Sequence, residues 1–358
     1  MNAPWPFLHP AAAIGTPEVE VALFDDITAM ADDAAGALDR ERQWPMYNRR
    51  EWLQLTAKHL LQDKRLICLR ARSGTDSAWL SLIDDGNGRA RAAGGWYTLE
   101  IAPAFSGAVC GAQRLKLMTG AAHALRRRFN RVDLRPVTPT TADLIRAAFS
   151  DAGWWAFETE TTANWITRTQ GLGFDDYWRA RPSQVKNTVR RKLKDSGLEM
   201  RVLTGFDAAA WADYESVYAQ SWKPAEGSPA FLREAARIEG EAGCLRLGLA
   251  YRDGHPVAGQ FWTVERGVAT IHKLAYIEAE RAASPGTLLS HRMFRHVLDE
   301  DRPALIDYGN GDEPYKAQWM TERRVLRHVT LHNRHHPAGV AGATRQTVAA
   351  WVRGPGHG

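Results

Sequence analysis

The sequence predicts two successive mixed α/β domains, each a twisted sheet flanked by helices, and three observations lead there. The chain has 358 residues, more than one ordinary hydrophobic core serves. Short strand-like apolar runs alternate with helix-spaced runs in both halves. The order strand, loop, helix, strand also recurs at an offset of 174 residues, laying Leu99 on Lys273 and Asp133 on Asp307. Identity between the halves is low, so the repeat is one of topology.

The elements follow in order. Residues 1–16, with three early prolines, read as a loose arm with neither the basic start nor the apolar run of a signal peptide. VEVALF (19–24) is a strand, and Ile27 to Leu61 carries helical spacing broken at Trp44-Pro45. RLICLRA (65–71) and AWLSLID (78–84), joined by a turn-rich link, predict an antiparallel hairpin, and WYTLEIAP (96–103) a further strand. Leu115, Met118, Ala122, Leu125 and Phe129 step by three and four along a helix. VDLRPV, a helix near 141–149 and two strands, WWAFET and TANWIT, complete a domain spanning 17–173.

The second domain, 174–334, opens with a basic helix that Ser183 caps and Gly197 ends. LEMRVL, a helical stretch over about 207–240, and the strands CLRLGLAY, PVAGQFWTV and ATIHKLAYI follow. A helix bearing Leu289, Met293 and Val297 on one side, the strand ALIDYG, another helix and the strand VLRHVTLH finish it. Residues 335–358, rich in Pro, Gly and Ala, read as a loose tail.

Composition narrows the function. Hydrophobic residues at 44% and charged residues at 24% are ordinary for a globular protein, and no run approaches the roughly 18 apolar residues of a membrane span. Cys68, Cys110 and Cys244 are far apart and odd in number, which argues against a disulfide framework and a thiolate metal site and for a reducing, cytoplasmic setting. A net charge of +5 with pI near 9.1 suits a modest anionic partner such as a nucleotide. His328, His332 and the HNRHH run have no carboxylate or cysteine to complete a ligand set, so no metal is expected.

The strongest local signal is a strand, a loop and a helix opening with Ser284, Pro285, Gly286 and Thr287. Ser284 can cap, Pro285 suits the first helical position, and Gly286 removes bulk beside free amides, so the helix start suits a phosphate. A plain well-capped helix has the same pattern. The run ATIHKLAY, then SPGTLL, then LIDYGNGDEPYKAQWM resembles the GNAT acyltransferases, in particular the CelD/BcsL-type branch associated with cellulose biosynthesis, itself similar to the Fem peptidoglycan aminoacyltransferases. The resemblance covers about 174–332. It implies tandem GNAT-like domains, the first degenerate and serving a structural or acceptor role, the second holding the acyl donor.

The resemblance implies acyl-CoA, most simply acetyl-CoA, as co-substrate, running along Lys273, Leu274, Ala275 and Tyr276, with its pyrophosphate near Arg281, Ser284, Gly286 and Thr287. The superfamily loop Q/R-x-x-G-x-G/A departs here, with Ser284 where its first Gly is expected. Tyr315 stands where many such enzymes keep a tyrosine that protonates the leaving thiolate, and it can equally be a packing residue. Asp307 and Asp312 are candidate proton acceptors or turn caps. His272 is a candidate base, and strand alternation puts it on the face opposite Lys273. Lys316 and Trp319 are candidates for the acceptor site. Lys186 and Arg190 lie on a basic helix face that is either solvated or an anion-binding edge.

These readings converge on an acyltransferase that moves an acyl group to an amine or hydroxyl of a small-molecule or saccharide-linked acceptor in polysaccharide or cell-envelope chemistry. Two alternatives stand beside it. One is a Fem-like transferase using aminoacyl-tRNA, the one nucleic acid considered. The other is a non-catalytic module for an anionic ligand.

Overall fold

The computed structural model describes residues 18–107 and 109–353, so the expected arm over 1–16 lies outside them. The chain divides into two compact units, one of residues 1–161 with 325–358 and one of residues 162–324. Both boundaries fall inside long strands.

In the first unit, β1 (Glu20–Phe24) leads through α1 (Ile27–Ala34) and α2 (Arg50–Leu60) to the hairpin of β2 (Arg65–Ser73) and β3 (Asp76–Gly86). Then come β4 (Arg89–Ala92), β5 (Ala104–Ser106), α3 (Gly111–Leu125), β6 (Arg131–Val137), α4 (Pro139–Asp151) and β7 (Trp154–Arg168). The hairpin registers Leu69 with Leu80 and Arg70 with Trp79. Helices cover both faces, which explains the unbroken apolar run of β2. Ile67 and Leu69 pack in a core with Leu117 and Met118 of α3, whereas Leu66 and Cys68 pack in another with Met30 of α1 and Leu53 of α2. Thr138 caps α4 through the Thr141 amide, with Pro139 in the first turn.

In the second unit, α5 (Phe174–Arg179), α6 (Ser183–Lys192) and β8 (Leu198–Leu203) precede α7 (Ala208–Ala219) and α8 (Pro229–Glu241). The strands β9 (Leu245–Arg252), β10 (His255–Glu265) and β11 (Val268–Tyr276) follow, then α9 (Pro285–His296) and β12 (Leu305–Asn310). β8 to β11 form an antiparallel meander, β12 joins β11 in parallel, and the end of β7 closes the far side of β12 antiparallel. Trp262 of β10 packs edge-on against Phe294 of α9, at 5.0 Å between ring centroids, on one face. Phe261 packs against Trp211 of α7 on the other, at 5.5 Å. The final strand, β13 (Glu322–Asn333), re-enters the first unit, pairs with β6, and is followed by α10 (Pro337–Arg353).

Four expectations change. Residues 96–103 form no strand, because Gly94 and Gly95 begin a tight turn in which a Cβ on Gly94 would lie 2.9 Å from Ile101. The strand that joins β3 to β6 is the earlier, polar β4, so the pairing of Leu99 with Lys273 fails. Asp133 and Asp307 do correspond, since each is the last partner of its short parallel ladder, opposite Arg91 and Thr270. WWAFET and TANWIT are one continuous strand, with no glycine or proline between them to turn the chain. The basic helix ends at Lys192 rather than near Gly197, and Ser183 lies inside it without capping.

The fourth change is the tail, expected to be loose from residue 335 but helical over Pro337–Arg353. His332 of β13 hydrogen-bonds Gln346 at 2.9 Å, and Gly339 approaches the β13 backbone so closely that a Cβ would meet the Asn333 carbonyl oxygen at 2.2 Å. Gly339→Ala is therefore expected to cost about 1–3 kcal/mol in urea denaturation. An unchanged midpoint would show that α10 does not dock there.

Candidate active site

The site begins with a break in a strand. Ile271 pairs with Trp262 and Lys273 with Phe261, which leaves His272 as an extra residue in β11, a β-bulge. The bulge cancels the alternation expected of His272 and Lys273. His272 stacks on Phe261 at 4.9 Å between centroids, and Lys273 lies 5.5 Å over the Tyr218 ring of α7, so both face α7.

At the same point β11 leaves β12. Their parallel ladder holds only Val268 with Leu305, Ala269 with Ile306 and Thr270 with Asp307. β11 continues to Tyr276 along β10, so from Ile271 onward its other edge offers backbone groups to the opening between the two strands. The expected donor-lining residues Lys273, Leu274, Ala275 and Tyr276 occupy this stretch.

The start of α9 closes one end of the opening. Ser284 adopts a left-handed conformation, with φ at 57°, a backbone region that favours glycine. Its side chain makes no cap, contrary to expectation. The hydroxyl instead accepts from Lys192 at 3.0 Å, and the same ammonium donates to the Ala282 carbonyl. The Gly286 amide has no acceptor among the described residues, so a free N–H and a lysine converge on the helix start. Gly286 itself is needed for packing, because a Cβ would stand 2.9 Å from the Tyr276 ring. Arg281 is exposed and pairs with Glu278, while Thr287 is half-buried with its amide bonded to Ser284.

Residues of β12 and of the turn after it form the other wall. Asp307 accepts from Asn164 at 2.6 Å and from the Gly309 amide at 2.7 Å, with Arg324 at 3.4 Å. Burial raises its pKa, and these donors oppose the rise. Asp307 is thus both turn cap and half-buried carboxylate. Tyr315, half-buried, meets Tyr308 edge-on at 5.8 Å, and burial with the Glu313 charge holds its phenol above the ordinary range, so it stays protonated. Lys316 is buried and donates to the Asn310 carbonyl at 2.6 Å and to Glu313 at 3.0 Å.

Several candidates are placed elsewhere. Trp319, expected at the acceptor, is a core residue, 3% exposed and stacked on Phe294, and its carbonyl accepts from Tyr177 and Arg181. Asp312 is exposed and held by Arg323 and Trp165; the Arg323 hydrogen bond lowers its pKa, so it is no poised base. His272 is pushed to about 3 by desolvation and then by Lys273, which removes it as a neutral-pH base, and Thr263 bonds it at 2.8 Å. Lys186 donates to the Arg179 carbonyl and Arg190 is exposed. His328 bonds Asp133 at 2.9 Å. Among the described residues, Glu239, Cys244 and Glu265 bring ligand-type atoms within 4.8 Å of one another, a grouping the spacing did not foreshadow.

Comparison with known proteins bears on the fold. Residues 181–317 match the family profile described as an acetyltransferase (GNAT) domain. Among solved structures the chain is similar to FemX, with 11% identity, a TM-score of 0.53 and coverage of 78% of this chain and 95% of that one. A tandem GNAT protein from the clavulanic acid biosynthesis pathway shares 15% identity at a TM-score of 0.50, covering 87% of this chain and 98% of that one. L-PGS from Bacillus licheniformis shares 12% identity at 0.50, covering 83% and 95%. No curated protein matches in sequence. At these identities the likeness shows the fold, which is the tandem GNAT-like α/β architecture.

Because folding excludes a proton from His272, unfolded chains bind more protons wherever pH lies between its folded value of about 3 and its ordinary value of 6.5. Its contribution to stability is therefore complete above about 6.5 and is lost as pH falls toward 3. His272→Gln is expected to flatten the fall of the urea midpoint across that window. An equally steep fall in the variant would assign the acid sensitivity to other groups.

Proposed function

We propose that the chain is an acyltransferase whose second unit takes the acyl donor, acyl-CoA, in the opening between β11 and β12. The observation that carries this reading is the ladder that ends after three pairs beside a helix start bearing a free Gly286 amide and Lys192. The edge of Lys273 to Tyr276 that β12 leaves unpaired supplies N–H groups that can pair with an extended donor and polarise its carbonyl. Lys192 and the α9 dipole suit the donor's phosphates. Tyr315, protonated and at the mouth of the opening, gives its proton to the leaving thiolate. Asp307 accepts the proton of the attacking amine or hydroxyl, directly or through water, because burial raises its basicity. The donor set is made of amides, a phenol and lysines, which fits an acyl thioester.

The CelD/BcsL resemblance favours a saccharide-linked acceptor. A Fem-like reading, with an aminoacyl donor from tRNA, draws on the same helix start and the neighbouring exposed Arg190 and Arg191 of α6. Thermal melts with CoA, acetyl-CoA and charged tRNA separate the two, since a ligand at ~100 times its dissociation constant adds about 2.7 kcal/mol to the folded state. CoA is expected to raise the melting temperature, and Lys192→Gln to weaken CoA binding about 10- to 100-fold, as loss of a charge-assisted bond does. A shift with charged tRNA alone would move the proposal to the Fem-like donor.

Tyr315→Phe deletes one hydroxyl while keeping the ring against Tyr308. Affinity for acyl-CoA is expected to hold while kcat drops ~10² to 10⁴-fold, measured as transfer or as slow acyl-CoA hydrolysis. Full kcat in the variant would remove Tyr315 from the mechanism.

A further inference from the structure

Three lysines and two glutamates gather around the opening from three separate segments. Lys273 of β11 pairs with Glu226 at 3.1 Å, both side chains 9% exposed, and the Tyr218 hydroxyl of α7 also donates to Glu226. Lys316, on the turn after β12, pairs with Glu313 at 3.0 Å. Lys223, on the loop between α7 and α8, is half-buried and feels the charges of all four groups. Among the described residues no hydrogen bond or ion pair holds its Nζ, whose only neighbour of note is the Trp222 ring at 5.7 Å. Trp222 in turn lies 4.3 Å from the ring of Tyr276 at the end of β11.

The arithmetic of charge is simple. Each glutamate is claimed by a lysine, and Lys223 remains as one positive charge in excess. A partly desolvated ammonium facing two others is stabilised when an anion joins it. We propose that Lys223 binds an anionic oxygen group of the acyl acceptor, a carboxylate or a phosphate, and so orients the acceptor toward the opening between β11 and β12. This inference rests on the acyl-transfer reading for the word acceptor, but the anion site itself does not.

Supporting chemistry follows from the same surroundings. Desolvation first, and then repulsion from Lys273, lowers Lys223 to about 8; Glu313 and Glu226 oppose the shift and Lys316 adds to it. The anion prefers the protonated amine, so binding raises this value. Affinity is accordingly full below about pH 8 and falls as pH rises through it, by up to tenfold per unit. A merely structural lysine shows no such coupling.

The test uses the full chain with its lysines carrying ¹³C-dimethyl groups, the Lys223 signal being identified by its loss in Lys223→Arg and in Lys223→Gln. In the free protein this signal is expected to titrate near pH 8, and acetate or methyl phosphate to shift it saturably and raise its midpoint. Response to acetate alone identifies a carboxylate, and response to methyl phosphate alone a phosphate. A signal that titrates at the ordinary lysine value and responds to neither anion overturns the site. Thermal melts with CoA run in parallel. A CoA shift in the wild type with a silent Lys223 sinks the anion site and leaves the transferase reading intact, whereas an anion response without any CoA shift does the reverse.

Discussion

One extra residue in a strand organises the second unit. With His272 inserted opposite β10, β11 keeps its ladder on that side and gives up its ladder to β12 after Thr270. A parallel pair normally continues until one strand ends, because each unmade backbone bond costs desolvation without return. Here the bonds are forgone along Ile271 to Tyr276, and the result is an edge of backbone donors inside the protein. The bulge also rotates Lys273 onto the α7 face, where Glu226 and Tyr218 receive it. Opening and charge cluster are thus two consequences of one irregularity.

The first unit supplies a contrast. Its short parallel ladder also stops after three pairs, and Asp133 stands where Asp307 stands in the second unit. Burial pushes Asp133 upward, yet hydrogen bonds from His328 and Arg131, two partners that carry or can take positive charge, hold its carboxyl well below the usual range. Asp307 has the neutral Asn164 and a backbone amide as near donors and a more distant Arg324, so burial prevails. One topological position therefore carries a carboxyl held below its ordinary pKa in one unit and one raised above it in the other. The difference is set by which donors the neighbouring strands carry.

The start of helix α9 is built differently from the expected capped helix. Serine occupies a left-handed position that glycine fills without strain, and its hydroxyl turns to Lys192 instead of capping the helix. A cation from another helix, Lys192, thereby reaches the loop before α9. Lys192 lay in a basic run whose charges were indistinguishable by spacing, and Lys186, Arg190 and Lys192 acquired different roles only when α6 packed near the loop.

Hydrophobic periodicity by itself determined the kind and order of nearly every element, because alternation and helical spacing report which face of a segment is buried, and burial dominates folding. The candidate roles of Tyr315, Asp307 and the Ser284 helix start came from the family resemblance and the local motif, not from periodicity. What periodicity cannot carry is anything decided by partners remote in sequence. The polar strand β4 has no apolar pattern to announce it and exists because β3 and β6 flank it. Trp319, a candidate for the acceptor site by sequence, is made core by the rings of Phe294 and Trp178. Lys223 carries no motif at all. Its free amine is a property of two glutamates already taken by other lysines, a count that only the folded chain can make.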